Sequence, residues 1–132
     1  MKIKIVYKEV HYLGLRHLED GEIEQENELR FTLGTEIFHN KHDATLTKFR
    51  YTVTATLKDE VSLELIYDFA FQTDREVTES FNESEAATIM APNLAYPYIK
   101  AYVENIFSIS GYKKIILPYL NFFDEPLKPE LP

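Results

Sequence analysis

Few residues in this chain have the types and spacing that reactions need. His39 and His42 lie three apart with Asp43 beside them, which is the donor set of a metal site if the backbone brings them together. They fall, however, in the segment FHNKHDAT, whose Asn40 and Asp43 are turn formers, and polar residues belong in a turn without any metal. Glu22, Glu24, Glu26 and Glu28 recur every second residue, the pattern of a solvated face rather than of two carboxylates sharing a proton. The chain has no glycine-rich phosphate loop and no nucleophile elbow. It has no cysteine, and so neither a disulfide nor a thiolate. The expectation is a protein that is not an enzyme and has no cofactor or metal.

The composition points instead to binding. Nine Tyr and nine Phe make 14% of 132 residues, in a chain that is 45% hydrophobic. One domain of this length has one core, which is too small to absorb so many rings. Some must cover a surface or an interface. The net charge of −8, from 22 acidic and 14 basic residues, repels a phosphate backbone, and nucleic acid is not an expected partner. The N-terminal MKIKIVYKEVHY has charges inside its apolar run, unlike a signal peptide or a membrane span, so membrane insertion is not expected and the cytosol is the expected location.

The elements that would position these rings start as β. Ile3, Ile5 and Tyr7 alternate with Lys2, Lys4 and Lys8. From Tyr12 to Asn27 the pattern dissolves, and a long, sticky loop carrying Tyr12, Leu13, Leu15 and Leu18 is expected. A second strand is expected from about Glu28 to Phe38. A third has Phe49, Tyr51, Val53, Ala55 and Leu57 on one face, and a fourth has Val61, Leu63, Leu65, Tyr67 and Phe69, the two joined by a turn at Lys58 to Glu60. Strand one is expected to return beside this meander as in a Greek key.

Beyond Asp74 the period becomes helical. Ser80 or Asn82 is expected to cap a short helix through Met90. Pro92 and Pro97 then allow either a kinked helix or two helices, with helix from Tyr98 to about Ser110 and a stop at Gly111. Two apolar stripes run along it. Leu94, Tyr98, Tyr102 and Ile106 form one, and Ala95, Ile99, Val103 and Phe107 the other. A helix lying on one sheet needs a single stripe, so the second is expected at an oligomer interface. The tail, KKIILPYLNFFDEPLKPELP, has prolines at 126, 129 and 132 and is expected to be extended. The chain thus divides into a sheet region (1–78), a helical region (79–111) and an apolar, proline-rich segment (112–132) of a single domain.

The stretch from Asn93 to Phe122 resembles the SecB-type protein-export chaperones. Pro92, Asn93, Pro97 and Tyr98 stand for the family's P-N-x-L-x-P-Y segment, with Ala95 where Leu or Phe is usual. Leu117, Pro118, Asn121 and Phe122 stand for its x-L-x-P-x-N-F segment. TVTATL (Thr52 to Leu57) and IKIVYKEV are similar to two of its strands. The resemblance implies an α+β fold with a four-stranded antiparallel Greek-key sheet packed with C-terminal helices. It implies a homotetramer, a dimer of dimers, that holds unfolded polypeptides or preproteins in apolar grooves without ATP. The expected lining is Tyr12, Leu13, Leu15, Leu18, Tyr119, Leu120, Phe122 and Phe123, and the expected subunit interface is Leu94, Tyr98, Tyr102 and Ile106. In the family an acidic sheet face docks the motor SecA. Glu9 matches one of its acids, and Glu9 and Glu64 are the expected docking face, although Glu64 and Ile66 stand where the family has a leucine and a glutamate. Pro126 stands where the family has a last helix. These departures keep open a SecB-like chaperone of a toxin–antitoxin system, with an antitoxin as partner, or a module for one specific protein.

Overall fold

The computed structural model describes residues 1–130; Pro132, the last of the tail prolines, lies outside the described residues. Four strands, β1 (Ile3–His17), β2 (Leu29–His39), β3 (Leu46–Leu57) and β4 (Val61–Thr73), precede one long helix, α1 (Ala91–Ile109). The sheet is antiparallel throughout in the order β1-β4-β3-β2, a meander with the first strand returned beside the fourth, as expected. β3 and β4 pair without interruption from Leu46 opposite Gln72 to Leu57 opposite Val61. Their turn is closed by Glu60 N–H donating to Leu57 O at 3.0 Å, with Asp59 at φ 59°, a left-handed position that an aspartate tolerates.

β1 departs most from its reading. The strand continues through His17, and the long loop expected from Tyr12 begins only after it. The reason is a pair of bulges, at Val6 and at His11, where the register with β4 slips by one. Each bulge reverses which side the following residues face. Ile3 and Ile5 lie on the core side opposite Thr73 and Phe71. Tyr7, expected beside them, lies on the outer side opposite Ala70, and Lys8 takes the core side opposite Phe69. After the second bulge Tyr12 faces out, and Leu13 and Leu15 face the core opposite Leu65 and Leu63. Between them Gly14 makes room for the Tyr12 ring, whose hydroxyl would come within 2.6 Å of any Cβ there.

The core is the other side of β3 and β4. Phe49, Val53, Leu63, Leu65, Phe69 and Phe71 are fully buried there, beneath Ala95, Ile99, Val103 and Phe107 of α1. Each such side chain contributes roughly 1.5–3 kcal/mol. The approach to the helix differs from the expected short capped helix. Glu79–Glu83 is a 3-10 turn, and Ala86–Met90 is a wide π turn. Ser84, not Ser80 or Asn82, makes the cap: its hydroxyl accepts from Ala87 N–H at 3.2 Å and donates to Phe81 O at 2.6 Å. α1 then runs unbroken through both prolines. Pro92 sits in the first turn, where no N–H is needed. Pro97 lies on an exposed face and leaves the Asn93 carbonyl without its helical donor. Gly111 ends the helix at φ 87°. Tyr112 N–H bonds to Phe107 O and Gly111 N–H to Ser108 O, at 3.0 and 3.2 Å, a complete Schellman ending.

Candidate functional site

The polar residues that could do chemistry are occupied in building turns. Asn40 Oδ1 accepts from the backbone N–H of His42 and Asp43 at 2.8 and 3.1 Å. The Asp43 carboxylate accepts from the hydroxyl and N–H of Thr45, which hold its pKa below the ordinary range. His39 Nε2 pairs with Asn82 Oδ1 at 2.8 Å, and so ties β2 to the 3-10 turn. Among the described residues no group of three His, Cys, Asp or Glu is placed to hold a metal ion, and no helix is long and apolar enough to cross a membrane.

Besides Tyr7, Tyr12 and Phe38 on the outer sheet face, the fold leaves apolar surface uncovered in two places. The first is the β1 side of the core. The two stripes of α1 separate here. Ala95, Ile99, Val103 and Phe107 face the sheet, while Leu94 and Tyr98 remain 39% and 46% exposed, with Tyr102 and Ile106 half-buried. Tyr98 and Tyr102 stand edge-on or tilted against Phe69 and Tyr67, at 6.2 and 5.7 Å, and Lys8 Nζ lies 4.7 Å over the Tyr98 ring. Next to them the core side of β1 is only half covered at Ile3, Ile5, Val10 and Leu13. The sheet–helix layer is therefore unfinished along this strand.

The second place is the segment after α1, which has no regular structure but is firmly anchored. Leu117 and Phe122 are buried, and Phe122 packs edge-on against Tyr96, 6.0 Å away. The Tyr96 hydroxyl donates to Pro118 O at 2.7 Å, and burial pushes its pKa up to about 12. The Glu104 carboxylate accepts from Leu117 N–H and from Lys100, both at 2.8 Å. Burial pushes the Glu104 pKa up, but Lys100 and the Leu117 amide outweigh it, and the group sits below the ordinary range. Between these anchors Ile116, Tyr119 and Phe123 project outward, 74%, 87% and 72% exposed.

The residues expected to line a groove are thus divided. Tyr119 and Phe123 are open, and Leu120 is half-buried beside β2, where Phe31, Leu33, Phe122 and Leu127 complete a cleft of about 270 Å³. Leu18 and Phe122 are buried within the chain. Tyr12, Leu13 and Leu15 belong to β1, at the opposite edge of the sheet from β2, so one chain does not bring the two groups together. Glu9 and Glu64 both face the outer side, opposite Asp68 and Gly14.

That outer face holds a feature the sequence reading missed. Arg50 donates to both oxygens of Asp68, at 2.9 and 3.0 Å, across β3 and β4. Phe38 lies beneath Lys48 and Arg50, 4.9 and 5.5 Å from its ring, and with Tyr7 it borders an open hollow of about 460 Å³. The alternation of β3 and β4 was enough to put Arg50 and Asp68 on one face; only the register makes them neighbours.

No family model matches the chain, and no curated protein matches it in sequence. In structure it is similar to a SecB-like chaperone of Mycobacterium tuberculosis, solved in complex with a ChAD peptide from the HigA1 antitoxin. The TM-score is 0.70 at 13% identity, over 90% of this chain and 88% of that one. It is also similar to a protein of unknown function from Streptococcus agalactiae, with a TM-score of 0.57 at 14% identity, over 90% of this chain and 98% of that one. At such identities the likeness is one of fold, and the fold of this chain is the SecB-like α+β fold.

Proposed function

We propose that this protein is a chaperone of the holding type, which binds extended or unfolded polypeptide on apolar surface in the cytosol and does no covalent chemistry. The observation that carries this reading is the uncovered apolar surface on a SecB-like fold whose core is otherwise complete: Leu94 and Tyr98 on α1, and Ile116, Tyr119 and Phe123 beyond it. A lone soluble domain does not gain by exposing such rings. The α1 stripe and the half-covered face of β1 serve sister subunits, in a dimer of dimers, and the exposed rings of the C-terminal segment serve the client. Assembly also explains how the groups at the two sheet edges act together, as parts of neighbouring copies.

A holder without ATP needs moderate, reversible affinity. Each apolar client side chain contributes roughly 1.5–3 kcal/mol, against several kcal/mol for ordering the bound segment. Repetition around an oligomer then raises affinity through effective concentration. The client we favour is an antitoxin-type peptide, since the solved structure with a TM-score of 0.70 carries one. Preprotein export is the second reading, favoured by Glu9 and Glu64 on the same outer face. The test is suppression of aggregation of several denatured proteins without nucleotide. Protection of none, with a tight one-to-one complex with a single folded partner, would replace the chaperone reading by a dedicated interaction module. Binding to SecA would decide for export.

A further inference from the structure

β2 is an edge strand, and one row of its backbone groups faces away from β3. The chain's own tail lies along that edge. A turn at Asn121, closed by Glu125 N–H to Asn121 O at 3.0 Å and Phe123 N–H to Asn121 Oδ1 at 3.0 Å, sends residues 126–130 back over the sheet. Leu127 is half-buried near Phe31 and Leu33, and its N–H donates to Thr88 O at 2.9 Å. Glu130 N–H then donates to Thr35 O of β2 at 2.8 Å. Gly34 leaves space for the Glu130 carboxylate, which a Cβ there would approach to 2.5 Å.

This cover is weak by composition. Pro126 and Pro129 have no N–H to give, and a proline cannot continue a ladder. Among the described residues the tail reaches β2 through a single backbone bond, at Thr35, where an uninterrupted extended peptide would make two bonds for every second residue. It is enough to blunt the edge, and too little to hold it against a better strand.

We propose that residues 126–130 are a tethered competitor: they occupy the β2 edge in the resting chain, and an extended polypeptide must displace them to pair there. The proposal deepens the chaperone reading and rests on it. The tail swings on the turn at Asn121 while Phe122 stays in the core, so displacement does not require unfolding. The tail thereby sets a threshold, excluding segments too short or too broken by proline to form a longer ladder.

The test measures binding of a fluorescent peptide of alternating leucine and threonine, free of proline, to three proteins. They are the full chain, a chain ending at Glu125, and the full chain with Glu130→Pro, which removes the donor to Thr35 together with the carboxylate over Gly34. If the tail is in place most of the time, its loss tightens the apparent affinity by about tenfold, and Glu130→Pro by about threefold. Equal or weaker binding by both variants, with the full chain still binding, overturns the competitor and leaves the chaperone reading standing. Binding by none of the three overturns both. Glu130→Pro keeps the test open should the shortened chain fold poorly.

Discussion

β1 and β2 are the two edges of one sheet, and the chain finishes them differently. β2 is closed by its own sequence: Phe122 seals the end of the core, Leu127 continues over the strand, and Glu130 bonds to its outer row. β1 is guarded only along its backbone. Two bulges and the charges of Lys2, Lys4 and Lys8 discourage another strand from adding there, while its core side and the adjoining stripe of α1 are left apolar and half open. An edge covered by its own tail takes a strand only by displacing that tail, whereas an edge guarded on the ladder but open on its face suits a partner that packs without pairing. The difference separates an edge built for pairing from one built for packing.

The largest test of that division is Phe122→Ala. Truncation of a buried ring at the closed edge is expected to cost about 3–5 kcal/mol in denaturant unfolding. Phe123→Ala, one residue on and 72% exposed, should stay within about 0.5 kcal/mol. Comparable losses from both would mean that the segment is anchored as a whole and not through Phe122.

On the open edge the expected effect is on assembly. Tyr98→Asp puts a charge on the exposed stripe and should weaken self-association by about 2 kcal/mol, roughly thirtyfold. Light scattering would then give a mass falling toward the monomer's 15.5 kDa, with the unfolding of the dissociated chain little changed. A wild-type protein that is already monomeric at micromolar concentration would remove the sister subunit from this face.

Between the two edges, Glu104 ties the C-terminal segment to α1. Its folded pKa is below the ordinary carboxyl value, so its contribution is present above that value and is lost as pH falls through the folded one. Protection of the Leu117 amide from hydrogen exchange should therefore fall in the acid range below about pH 4.5. Glu104→Gln should lose about 1 kcal/mol at neutral pH and flatten that dependence. An acid-insensitive Leu117 amide would assign the anchoring to Leu117 burial alone.

How much of this was legible in the sequence follows from where periodicity survives. β3 and β4 alternate without a bulge, and their inward residues, their turn and their place in the sheet could be read directly. β1 could not be, because each bulge reverses the alternation: Tyr7 reads as inward and lies outward, and the part of the strand after His11 reads as loop. Pro97 reads as a kink or as a boundary between two helices, and one helix passes it on an exposed face. The two stripes of α1 were visible from their i, i+4 spacing, and Ala95, Ile99, Val103 and Phe107 are the one that faces the sheet. The tail shows the limit most plainly. Phe122 and Phe123 are adjacent, identical and outside any periodic element, so nothing in the sequence says that one is buried and the other free.

The smallest expected effect concerns what closing the β2 side leaves inside. Tyr51 lies on β3 directly opposite Thr35 of β2, both are buried, and neither hydroxyl has a partner among the described residues. Burial also pushes the Tyr51 phenol far up, so it stays protonated at any working pH. A buried hydroxyl without a partner opposes folding, and replacing it by hydrogen leaves the ring packing against Phe49 and Phe69 intact. Tyr51→Phe is therefore expected to be neutral or to stabilise by up to about 1 kcal/mol, a rise of a few degrees in Tm. A loss of similar size would mean that this hydroxyl is bonded in the folded protein, and that the closed edge is more polar inside than its apolar lining suggests.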